Sequence, residues 1–239
     1  MFNFLVNLVF LFGLVAVATA NDDLTAFQKA IDDMDRKHLS LLSSASTEVP
    51  VENDEIVRVT KMANSLQQGY RAVYPNGDPI KLKLVYLNKN EINLAAAHNG
   101  TIIVNVQFSH LLPDAGLLFA LAHEMAHVGE RHPPEMFWGV VSELQLRGHS
   151  LNEAMVEEVL AMFHLRDSSK SKQMEFDADA GAYSIVAKAH SEPVARSGAL
   201  GVFWGSLRKF IPNVESDTHP APSARLRVLL DPNPVYQTY

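Results

Sequence analysis

The sequence predicts an α+β, mainly helical domain with a small antiparallel sheet, and three observations carry that expectation. Apolar residues recur at helical spacing over most of the chain. Only two short segments alternate apolar and polar residues as strands do. At 239 residues with 47% hydrophobic content, the chain has material for one well-packed core and too little for two.

The elements follow in order. Residues 1–20 carry no charged side chain, hold an apolar run over 8–17 and present small residues at Ala18 and Ala20, the pattern of a signal peptide cleaved after Ala20. An uncleaved membrane anchor is the competing reading, and the apolar stretch 4–18 is shorter than the ~20 residues that span a bilayer. Residues 21–239 then form a single domain. Leu24, Phe27, Ile31, Met34, Leu39 and Leu42 share a helical stripe over 24–42. A second helix over 53–73 aligns Ile56, Val59, Met62, Ala63, Leu66 and Tyr70, and the turn Pro75-Asn76-Gly77-Asp78-Pro79 closes it. Strands are expected over 80–87 and 101–108, with a turn at Asn99-Gly100 before the second. After Pro113 the pattern is helical over 114–131, 134–147, 151–165, 172–190, 193–210 and 222–230. Residues 166–172 and 211–222 read as loops flanking the site, and 231–239 as a surface tail.

The formal net charge is −7 with both signs mixed along the chain, which leaves no basic stripe for nucleic acid or anionic lipid. Cysteine is absent, so there is no disulfide framework.

The chemistry concentrates in His123-Glu124-Met125-Ala126-His127, which follows the apolar run 117–122. On a helix, residues four apart lie on one face, so both imidazoles reach one ion while Glu124 stands beside it as general base for a water. Two imidazoles and a carboxylate with one open position suit zinc, one ion per chain, which lowers the pKa of bound water toward neutrality. The metzincin spacing needs Gly and His where Glu130 and Pro133 stand, so that solution is rejected. A carboxylate from a downstream helix is the other solution. Glu175 and Asp179 share a helical face, which makes Glu175 the third ligand and Asp179 the acceptor for a ligand imidazole's second nitrogen. The small residues Ala178, Ala180, Gly181 and Ala182 beside them fit a helix packed closely against another.

With these residues the chain resembles the HtpX-like and CAAX-prenyl-protease family of gluzincin metallopeptidases, in its soluble exported branch. The resemblance spans about residues 92–229: Asn93 to Gly100 with the strand Thr101-Ile102-Ile103-Val104, the metal helix continuing through Val128, Arg131 and His132, and Glu175 with Asp179. Leu94 departs from it, standing where Ala is usual. The resemblance implies a zincin-like fold and a zinc endopeptidase acting on unfolded or misassembled envelope proteins, periplasmic or secreted. It also implies roles for two residues in Thr218-His219-Pro220-Ala221-Pro222-Ser223-Ala224-Arg225: His219 would stabilise charge on the tetrahedral intermediate, and Arg225 would pair with a carboxylate such as Asp179. His132 reads as a helix-end residue and no ligand.

Two rivals stand beside this reading. One is a non-catalytic, chaperone-like protein in which zinc only holds helices together, but structural zinc sites are usually closed and Cys-rich, and they do not require a Glu beside the first His. The other is a hydrolase of small esters or amides. Two structural expectations follow as well: the strand over 101–108 offers an edge to an extended substrate or is an ordinary core strand, and the segment between the metal helix and Glu175 either completes the core or lids the cleft, with 166–172 as a hinge.

Overall fold

The structure, a computed structural model, describes residues 54–85, 94–97, 100–133, 135, 168–202 and 219–230. All of them belong to one compact unit formed by Leu42–Met136 and Asp167–Tyr239. The expected leader, the helices over 24–42 and 151–165, all of that over 134–147 except residue 135, residues 203–210 of that over 193–210, the loop before residue 219 and the tail lie outside the described residues.

Helix α1, Asp54–Val73, opens with Asp54 and Glu55 and ends with Arg71 in its last turn, each charge placed to complement the helix dipole. Its buried stripe is Val59, Ala63, Leu66 and Tyr70. Three strands follow: β1, Lys81–Val85; β2, Leu94–Ala96; and β3, Thr101–Asn105. The order is β1-β3-β2, with β1 parallel and β2 antiparallel to the central strand. The sheet is therefore mixed where a wholly antiparallel one is expected. The reason is that β2, too short and too rich in alanine to show alternation, takes the other side of β3 and leaves β1 to pair in parallel. Gly100, at φ 78°, makes the turn into β3 in a conformation that favours glycine.

All five residues of β3 are buried, and it is paired on both sides, so it is a core strand and presents no free edge. It also stops three residues short of the expected end. Asn105 caps a short helix α2, Val106–Ser109, by accepting a hydrogen bond from the Gln107 amide at 3.1 Å.

Helix α3, Asp114–Gly129, is apolar on nearly every side, with Leu117, Leu118, Phe119, Leu121, Ala122, Met125, Ala126 and Val128 buried. Such a helix belongs at the centre of a domain. It packs against α1, β2, α4 (Ser168–Ala189) and α5 (Glu192–Leu200). Its entry is clamped by Arg58 of α1, which donates to the carbonyls of Ser109 and Leu112 at 3.2 and 2.8 Å and to Asp114 Oδ1 at 2.9 Å.

Helix α4 begins at Ser168, so residues 168–172, expected as a loop, are helical. A polar, serine-rich stretch looks like a loop by composition, but serine also favours the first turn of a helix, where its hydroxyl competes for backbone groups. The loop expected there is thereby corrected for residues 168–172. Helix α6, Pro222–Leu230, coincides with its expected bounds and packs against α4 and α5.

Candidate metal centre

Helices α3, α4 and α6 each deliver part of one cluster. From α3 come His123 and His127, one turn apart, their rings edge to face at 4.6 Å between centroids. Their Nε2 atoms are 3.1 Å apart. From α4 comes Glu175, with Oε2 3.4 Å from His123 Nε2 and Oε1 3.4 Å from His127 Nε2. The three residues bring one potential ligand atom each within 4.8 Å of one another.

These separations can be tested against an ion. Two ligands bound tetrahedrally to zinc at ~2.0–2.1 Å stand ~3.3–3.4 Å apart, the edge of the tetrahedron. The two imidazole nitrogens, 3.1 Å apart, stand close to that edge, and the Glu175 carboxylate faces them with one oxygen 3.4 Å from each. Glu175 Oε2 is buried, and the Arg225 guanidinium pairs with it at 2.9 Å. Two imidazole nitrogens facing a buried carboxylate are the donor chemistry that zinc takes. The donor set fits zinc.

A second ring of contacts fixes the first. Asp179, one turn after Glu175 and 1% exposed, has Oδ1 3.0 Å from His123 Nδ1. Arg225 of α6 grips Asp179 with both arms of its guanidinium, Nη2 to Oδ1 at 2.6 Å and Nε to Oδ2 at 2.7 Å. His219 lies just before α6 and is more than half exposed, with Nε2 3.6 Å from Glu175 Oε1. Glu124 is half-buried on α3 next to His123, close enough for its charge to contribute to raising the Arg225 pKa. The structure thus brings together six of the seven expected residues by direct contact and leaves Glu124 beside them on the same helix.

The electrostatics follow from this packing. Burial alone would raise the Glu175 carboxyl, but hydrogen bonds from His123 and His127 outweigh it and hold the group well below its usual range. Burial likewise opposes ionisation of Asp179, and Arg225 reverses the balance, so that this carboxyl is also lowered. For His123, burial favours the neutral ring, yet hydrogen bonds to Asp179 and Glu175 prevail and lift its pKa to about 10. In the metal-free protein this imidazole holds a proton that a cation must displace.

One participant escapes the sequence reading. His132, taken there as a helix-end residue, is buried and has Nδ1 2.9 Å from Nδ1 of His127. Burial, with the neighbouring His127 as the next cause, lowers its pKa to about 4 and keeps the ring neutral. A helical-wheel argument cannot find it, because the fifth residue along an unbroken helix lies about 140° around the axis.

The packing of α3 on α4 depends on small residues. A Cβ at Gly181 would collide with the Tyr74 hydroxyl and come within 2.7 Å of Ala126 Cβ, so the two helices meet at the site with no room to spare.

Residues 61–233 match Peptidase family M48. No curated protein and no solved structure matches the chain.

Proposed function

The chain belongs to peptidase family M48, and on that premise we propose that it is a zinc-dependent endopeptidase in which His123, His127 and Glu175 hold the metal and Glu124 is the general base. Family membership supports zinc metallopeptidase activity in general. The observation that carries the assignment of residues is the convergence of His123 Nε2, His127 Nε2 and the Glu175 carboxylate, with one ligand atom of each within 4.8 Å of the others.

When bound, zinc supplies an electrophile for the scissile carbonyl and acidifies the attacking water. The chain's own residues do the rest. Glu124 takes the proton from the water and passes it to the leaving amine, a role suited to a carboxylate on the same helix as the ligands. His219, exposed at the rim and near Glu175, donates to the oxygen on which negative charge develops. Asp179 and Arg225 keep the His123 ring in place throughout, so no reorganisation is required as charge moves.

A polypeptide substrate is supported by β2. This strand is one of the sheet's two edges, the one that packs beside α3, and has no further strand paired to it among the described residues. An extended chain adding to it would lie alongside the helix that carries both histidines. We take the substrates to be unfolded or misassembled proteins of the envelope or exterior, reached after export through the leader over 1–20. Among the described residues no helix is long and apolar enough to cross a membrane.

The test is metal content together with casein hydrolysis, comparing the chain from residue 21 onward with its Glu124→Gln variant. About one zinc per chain in both, with cleavage by the wild type alone, is the expected result. Zinc in both and cleavage by neither would instead favour a binding protein.

A further inference from the structure

We propose that His132 is a positioning residue for His127, accepting the Nδ1–H of that imidazole and so holding its Nε2 toward His123 and Glu175. This rests on the metal-site reading above and adds a residue to it.

The chemistry asks for such a partner. A neutral imidazole that offers Nε2 to a metal carries its proton on Nδ1, and that proton needs an acceptor to fix the ring. For His123 the acceptor is the Asp179 carboxylate. For His127, the atom that meets Nδ1 among the described residues is His132 Nδ1, at 2.9 Å. The two rings stand 5.0 Å apart at 71°, so the contact is edge-on, through the nitrogens, and not a stacking of faces.

The backbone supplies an independent observation. Arg131 has φ 60°, the one positive-φ residue other than glycine among those described. Residues with a Cβ avoid this left-handed region, which ordinarily goes to glycine when a helix ends. Here it breaks the helix between Glu130 and His132 and turns His132 back toward the face that His127 occupies. A strained residue kept immediately before a buried polar side chain indicates that the placement of that side chain matters. His132 is 7% exposed, and a buried imidazole without a partner would be costly. The two metal-binding histidines are then held by different chemistry, one by a carboxylate and the other by a neutral ring.

The test compares His132→Leu, which removes the acceptor, with His132→Asn, whose smaller side chain puts an oxygen in the place of Nδ1. Zinc affinity is measured by competition with a chromophoric chelator, and melting of the metal-free forms reports folding. The expected result is an affinity loss of about 10- to 100-fold for His132→Leu and near-native binding for His132→Asn. Native affinity in His132→Leu, or an equal loss in both variants, would overturn the proposal. If His132→Leu does not fold, His132→Ala takes its place in the comparison. A His123→Ala control separates the two levels of the argument. If that variant binds zinc like the wild type, the metal site itself is misassigned; if it loses zinc while His132→Leu keeps it, only the role of His132 falls.

Discussion

Arg225 meets Asp179 in a two-armed pair, Nη2 to Oδ1 at 2.6 Å and Nε to Oδ2 at 2.7 Å, while Asp179 Oδ1 also faces His123 Nδ1 at 3.0 Å. One carboxylate therefore links α6 to the metal-binding face of α3. The geometry is specific to a planar fork, which a lysine ammonium cannot reproduce. Its surroundings exclude water, with side-chain exposures of 12% for Arg225 and 2% for Asp179.

Removing the fork should be costly. Arg225→Ala strands the Asp179 and Glu175 carboxylates in a buried site, and breaking a buried pair from one side costs about 3–5 kcal/mol. Arg225→Lys should recover part of that loss and not all of it. Urea unfolding of the metal-free proteins gives the comparison. A lysine variant as stable as the wild type would show that charge alone matters there and that the fork does not.

The metal-free site should also couple zinc binding to pH. His123 titrates near 6.5 in an unfolded chain and at about 10 in the folded one, so its charged form contributes stability that is full below pH ~6.5 and lost as pH rises through about 10. Glu175 and Asp179 are lowered, so their contribution is present above the ordinary carboxylate range and lost as pH falls through their folded values. Zinc competes with the His123 proton. Its apparent affinity should therefore climb by up to about tenfold per pH unit from neutrality toward pH 10. Chelator competition at pH 7, 8 and 9 measures the slope, and a flat profile would mean that His123 is already neutral at pH 7.

The legible and illegible parts of this protein differ for physical reasons. The apolar stripe of α1, Pro113 just before α3 and Pro222 at the start of α6 are local signals, and they place these helices. The pair His123 and His127 and the pair Glu175 and Asp179 are visible because a four-residue spacing is a statement about one helix face. What escapes depends on tertiary context. The parallel pairing of β1 with β3 is decided by where β2 inserts, and no alternation within β1 reports that. The fully buried β3 hides its role as the central strand, since alternation reports a half-buried strand best. His132 reaches His127 only because Arg131 leaves the helical conformation, a change that the arginine side chain does not announce.

Packing between α3 and α4 offers a different probe. In Gly181→Ala the new methyl would meet the Tyr74 hydroxyl and Ala126, the residue beside His127, and over-packing of this kind costs about 1–3 kcal/mol. Because α4 carries Glu175 and α3 the histidines, the same shift should spread the ligands and weaken zinc binding. A lower melting temperature and a reduced zinc affinity are both expected. Adding Ala126→Gly should restore part of the affinity even though glycine costs the helix about 1 kcal/mol. An affinity unchanged by Gly181→Ala would show that the helices yield elsewhere without moving the site.

The left-handed residue gives the last prediction. Arg131 is exposed, and a side chain with a Cβ costs about 1–2 kcal/mol in that conformation relative to glycine. Arg131→Gly relieves the strain while making the unfolded chain more flexible, so the folded protein should be unchanged or more stable by up to about 1 kcal/mol. The turn that delivers His132 is preserved, so zinc affinity should not move. Loss of stability in Arg131→Gly would show that the arginine side chain holds this corner through contacts of its own. Loss of zinc affinity at unchanged stability would mean that the corner must be rigid, because glycine can adopt the same φ but does not enforce it.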